Sequence, residues 1–143
     1  MVASVFNLWQ NHIDVARERA LDALALGESF SQGQDLAIRC LAHNLLSHIG
    51  FCLGDHHFAA HHAERGLSVA QRLGAPYWEV QFRVGLASAC FLSGAWDESL
   101  RLSAEASALA RRIGYPRILA NALAQQAMVL ALRGYLPEAE ACV

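Results

Sequence analysis

Glycine and proline recur along this chain at a single interval. Gly54, Gly94 and Gly134 lie 40 residues apart, as do Gly74 and Gly114, and Pro76 and Pro116. Glycine fills only 10 of 143 positions, so these coincidences at one spacing mark a structural unit used more than once. A glycine closing a periodic stretch supplies the left-handed residue that ends a helix, and a proline suits the first turn of the next. The 40-residue unit therefore reads as two helices. The first is expected at about 36–53, 76–93 and 116–133, and the second at about 56–73, 96–113 and from 136 onward.

Charge and side-chain size support this division. Asp55, Asp97, Glu98 and Glu138 open the second helices, and Arg72, Arg111 and Arg112 close two of them, each opposing the local end of the helix dipole. Small residues recur at matching places: Ser47, Ala87 and Ala127 in the first helix, Ala59, Ser99 and Ala139 early in the second, then Gly66 and Ala106. A side chain without bulk at a fixed place lets a neighbouring helix come close. Leu46 and Leu86, and Phe51 and Phe91, supply the matching bulk. Ala and Leu make up a third of the chain, which favours helix over strand.

The strings Gly54-Asp55-His56-His57-Phe58-Ala59, Gly94-Ala95-Trp96-Asp97-Glu98-Ser99 and Gly134-Tyr135-Leu136-Pro137-Glu138-Ala139 resemble the turn and second-helix start of tetratricopeptide repeats (TPR). As in that family, the small residue of the first helix lies 12 positions before the Ala or Ser of the second. A unit of 40 exceeds the roughly 34 residues of the standard repeat. It is closer to the long-helix variety in bacterial regulators, including MalT-like and LuxR-type activators. The resemblance implies an all-α, right-handed solenoid of antiparallel helix pairs, about three and a half repeats in one domain. The units would be a partial one over 1–34, then 35–74, 75–114 and a truncated one over 115–143. Asn11 to Ala16 fits an earlier second-helix start, giving a helix over 13–31 preceded by a short one over 2–10. A chain opening and closing inside a repeat is expected to be a fragment of a longer protein. Its uncovered ends, with Trp9 and Tyr135 near them, are expected to pair copies into a homo-oligomer.

The resemblance also implies a concave wall lined by first-helix residues. Leu41, Gln81 and Asn121 form one row, Asn44, Val84 and Ala124 a second, and His48, Ser88 and Met128 a third, flanked by Leu45, Gly85 and Gln125. Asn44, His48, Gln81, Ser88, Asn121, Gln125 and Met128 are thus the candidate binding residues, able to hydrogen-bond a peptide backbone or the hydroxyls of a small molecule. The implied role is a non-catalytic protein-protein interaction or self-association module of a bacterial signalling or transcription regulator. A small-molecule sensor segment of the MalT-like kind is the alternative. Arg83 alone does not rebuild the basic set with which chaperone-binding relatives hold a carboxylate.

A third reading, a metal-dependent enzyme, rests on His56, His57, His61 and His62. Two imidazoles four apart share a helix face and can ligate a divalent metal. The equivalents in the next unit are Trp96, Asp97, Arg101 and Leu102, so His57 and His61 are expected to face solvent and His56 and His62 to pack. No acidic residue completes an H-E-x-x-H arrangement, and neither a G-x-S-x-G elbow nor a P-loop is present. No enzyme activity, metal or cofactor is expected. Cys40, Cys52, Cys90 and Cys142 form no C-x-x-C pair and read as reduced core thiols. Trp78, aligned with Ile38 and Ile118, reads as part of an apolar column between units.

A net charge of −2 with no basic run argues against nucleic acid as a partner of this segment. The best transmembrane candidate, residues 118–132, is 15 long and holds Asn121, Gln125 and Gln126, short of the about 20 residues that a span needs. With no membrane span and no leader pattern at the start, a cytoplasmic location is expected.

Overall fold

A left-handed glycine ends a helix every 20 residues: φ is +71° at Gly54, +62° at Gly74, +83° at Gly94, +71° at Gly114 and +84° at Gly134. At each, the glycine N–H donates to the carbonyl three residues back and the next N–H to the carbonyl five back. Gly54 bonds Phe51 and Asp55 bonds Gly50; forty residues on, Gly94 bonds Phe91 and Ala95 bonds Cys90. The recurring punctuation is thus one hydrogen-bonded turn, repeated because only a residue lacking Cβ adopts its backbone angles without cost.

The computed structural model describes residues 12–29 and 34–142. They form seven helices and no strand: α1 (Ile13–Ser29), α2 (Gln34–Leu53), α3 (His56–Leu73), α4 (Pro76–Leu92), α5 (Trp96–Ile113), α6 (Pro116–Leu132) and α7 (Leu136–Glu140). The chain is all-α. Each helix expected within the described residues is present, with boundaries within two residues of the expected ones. The short helix expected over 2–10, and Trp9 within it, lie outside the described residues.

The helices divide into two compact units, the first ending at Ala75 and the second beginning at Pro76. In the first, α2 packs on both α1 and α3. Its core joins Ala16 and Ala20 of α1 to Leu45, Leu46 and Ile49 of α2, with Ile13, Leu24 and Phe58 at the edge. Leu45, expected to flank an open wall, is therefore a core residue. In the second unit α5 packs on α4 and α6, α4 touches α6, and α7 folds back on α6. Val80, Ala106, Leu109, Ala110, Ile118 and Ala122 form its core.

The small residues do what their spacing suggests. In the α2–α3 hairpin the Ser47 hydroxyl donates to the Ala59 carbonyl at 3.0 Å; in the α4–α5 hairpin Ser99 donates to Ala87 at 2.7 Å. Residues 47 and 87, and 59 and 99, are equivalent positions, so the same inter-helix bond is made from opposite sides. Its buried hydroxyl stays satisfied either way. The two helices also come close at Gly50, where an added Cβ would lie 2.7 Å from the Ala59 nitrogen and 2.8 Å from its Cα.

One side chain and one apolar segment depart from expectation. Ile118 is wholly buried but its counterpart Ile38 is exposed, so the apolar column is not uniform. Trp78 is half-buried, stacked on Phe82 and edge-on to Tyr77 of the same helix. Leu36–Leu53, rather than residues 118–132, is the stretch long and apolar enough to cross a membrane by composition. In the fold it belongs to α2, held between α1 and α3.

Candidate functional site

Seven residues were expected on one binding wall, and the structure gives them different surroundings. On α2, Asn44 is half-buried and His48 exposed; the His48 Nδ1–H donates to the Asn44 carbonyl at 2.8 Å, one helical turn back. On α4, the Gln81 amide donates to the Tyr77 hydroxyl at 3.3 Å, which also accepts from Arg117 of α6 at 3.4 Å. Ser88 donates to Gln125 Oε1 at 2.9 Å across the α4–α6 contact, and the Gln125 amide reaches Ser99 Oγ at 3.4 Å. Gln125 is only 6% exposed. Ser88 and Gln125 thus come together as expected, but as an interior polar clamp joining α4, α5 and α6, not as open binding groups. Asn121 and Met128 face solvent.

A second clamp escaped the sequence reading. The Gln126 amide donates to the Ser103 carbonyl at 2.9 Å and to Ser107 Oγ at 3.0 Å. The spacing of Ser103 and Ser107, four apart on one face of α5, was the available signal.

The histidines sort as their equivalents suggest: His57 and His61 are exposed, His56 is half-buried and His62 is buried. The partner of His62 is His43 of α2, Nδ1 to Nδ1 at 3.1 Å. One ring must carry the Nδ1 proton and the other must accept it, so a proton on both facing nitrogens would destroy the bond. Burial holds both pKa values down to about 4. For His43 the neighbouring His62 and Arg39 add to the effect, and for His62 the neighbours His61 and Arg17 do. No three His, Cys, Asp or Glu side chains converge to hold a metal ion among the described residues. Of the cysteines, Cys40 is buried, with its thiol pushed up to about 11 by desolvation. Cys90 and Cys142 are half-buried, and Cys52 is exposed rather than a core thiol.

The position of His43 has sequence equivalents 40 and 80 residues further on. Its equivalent in α4, Arg83, is gripped by Glu79 at 3.1 Å and faces Glu105 of α5 at 3.6 Å. Its equivalent in α6 is Leu123. Leu123 lines an open trough of about 380 Å³ together with Pro116, Leu119, Ala120, Ala124 and Cys142. Beyond it the same hairpin exposes Met128, Leu132, Tyr135 and Leu136, with Leu132 and Leu136 more than half accessible. No family model, curated protein or solved structure matches this chain.

Proposed function

We propose that this chain is a non-catalytic protein-binding module. Its helix hairpins are successive TPR-like repeats of a right-handed solenoid, of the kind used by bacterial signalling and transcription regulators. The carrying observation is the apolar surface of the C-terminal hairpin. Met128, Leu132, Tyr135 and Leu136 are all exposed on it. Clustered apolar side chains at a surface are worth free energy only when something covers them, and at about 25 cal/mol per Å² a covering protein segment gains appreciably. The identical turns and inter-helix serine bonds at a 40-residue offset support the repeat reading.

Panning a random peptide library against the immobilised chain tests the proposal. Binders should be selected, and the double variant L132K/L136K should no longer retain them, since both leucines are exposed and can be changed without disturbing the core. Selection of no binder, or equal retention by the double variant, would overturn it.

A further inference from the structure

The four positions that form a closed charge network in the α4–α5 hairpin carry an inverted set in the α2–α3 hairpin. In the second unit Arg83 bonds Glu79 at 3.1 Å and faces Glu105 at 3.6 Å, and Glu105 also pairs with Arg101. Two acids and two arginines alternate, so the network is neutral. Forty residues earlier the same positions hold Arg39, His43, His61 and Arg65. Each acid has become an arginine and each arginine a histidine. The two hairpins share their capping turns and their inter-helix serine bond, so Arg39 and Arg65 stand on either side of position 43 as Glu79 and Glu105 stand on either side of position 83. The charges of both arginines reach His43, and its burial beside them and His62 holds its pKa down to about 4, so the ring is neutral at pH 7. Its Nδ1 is committed to His62. No carboxylate among the described residues lies within ion-pair distance of Arg39 or Arg65; the ion pair this unit shows is Arg19 with Asp22. Arg39 is half-buried, and its Nε is shielded from solvent without a hydrogen-bond partner. Arg17 of α1 adds a cation nearby, its guanidinium 4.9 Å above the Phe58 ring that meets His62 edge-on.

We infer that Arg39 and Arg65 form a binding site for a phosphate monoester, seated between them as the Arg83 guanidinium is seated between Glu79 and Glu105. Charge selects the class of ligand. Two guanidiniums that repel one another and lack a counter-charge call for a dianion, and a phosphate monoester carries about −1.5 to −2 at pH 7. Its oxygens also match two planar guanidinium forks at once. A carboxylate would neutralise one arginine and leave the other unbalanced. Arg65 is exposed, so the site opens to solvent. It belongs to the first unit and uses none of the residues ascribed to protein binding, so either reading can fail without the other.

Inorganic phosphate titrated into the isotope-labelled full chain, at neutral pH and constant ionic strength, is followed by the arginine Nε–H resonances. Those of Arg39 and Arg65 should shift along one saturable curve, and acetate should bind at least about tenfold more weakly. R65Q, a change at an exposed residue, should weaken phosphate binding about tenfold, as expected for the loss of one charge-assisted contact. The composite variant R39E/H43R/H61R/H62L/R65E installs the α4–α5 set; it should keep the far-ultraviolet circular dichroism of the parent and no longer respond to phosphate. No saturable shift at Arg39 and Arg65, equal binding of acetate, or undiminished binding by R65Q or by the folded composite variant overturns the inference. A phosphoserine peptide that binds more tightly than inorganic phosphate supports the site and puts the ester on a partner protein. A peptide that binds no better, with phosphate still bound, supports the site and puts the ester on a small molecule.

Discussion

Replacing Gly50 by alanine separates two physical effects that have opposite signs. Gly50 lies well inside α2, where alanine is intrinsically better than glycine by about 1 kcal/mol, so helix propensity alone predicts stabilisation. Packing predicts the reverse. The new methyl would lie 2.7 Å from the Ala59 nitrogen, 2.8 Å from its Cα and 2.9 Å from its Cβ, whereas carbon contacts are comfortable near roughly 3.5–4.0 Å. Two of the three obstacles are backbone atoms that no rotamer change moves. α2 and α3 must part by nearly 1 Å at the crossing, which stretches the Ser47–Ala59 bond, now 3.0 Å, and loosens Leu46 and Ile49. Overpacking costs about 1–3 kcal/mol and a weakened buried hydrogen bond about 1 kcal/mol. After the propensity gain, a net loss of about 2 kcal/mol is expected. Urea denaturation followed by circular dichroism measures it. Adding Ala59→Gly should not rescue the variant, because that removes only the Cβ contact and leaves the two backbone ones. A G50A protein as stable as the parent, or more so, would refute the close approach of α2 and α3.

The buried His43–His62 pair makes stability fall in acid. Both folded values, about 4, lie below the usual 6.5, so the unfolded chain takes up protons first. The contribution is complete above pH 6.5 and is lost as pH drops toward 4; one such histidine costs about 2 kcal/mol at about pH 5. H43L/H62L, which installs the leucines found at equivalent positions 123 and 102, should flatten the pH dependence of the urea midpoint; an unchanged slope would count against the pairing. Thiol labelling should distinguish the cysteines. Exposed Cys52 should react fast in the native protein and Cys40, buried with its pKa near 11, only on unfolding. Equal rates, read by mass spectrometry, would contradict the burial of α2. Gln126→Leu should destabilise by about 1 kcal/mol by removing the inter-helix bonds to the Ser103 carbonyl and Ser107 hydroxyl, and a neutral result in denaturation would dismiss that clamp.

The helices were legible because their ends are written in residue types with few other uses. A glycine at positive φ followed within two residues by proline, as at Gly74 and Pro76, leaves little freedom over where one helix stops and the next starts. The small-residue positions were legible for a similar reason: a close crossing tolerates only Ala, Ser or Gly. What the periodicity does not encode is which way a polar side chain turns once a neighbour arrives. Gln125 and Ser88 occupy wall positions by count, yet each has a partner within reach and turns inward to it. His43 and His62 are 19 apart, and nothing in the spacing of either announces the other; only the rotation of α2 against α3 brings their Nδ1 atoms together. Gly50 was invisible because its equivalents are Cys90 and Leu130, so no repeat pattern singled it out.

The most direct test of the account is to locate where binding occurs. Amide chemical-shift mapping of the isotope-labelled chain with a library-selected peptide should place the perturbed residues along α6 and α7, with the largest changes between Pro116 and Ala124 and at Cys142. Perturbations centred on Asn44 and His48 of α2, or spread evenly through both units, would contradict the claim that the uncovered apolar face of the last hairpin is what this chain offers a partner.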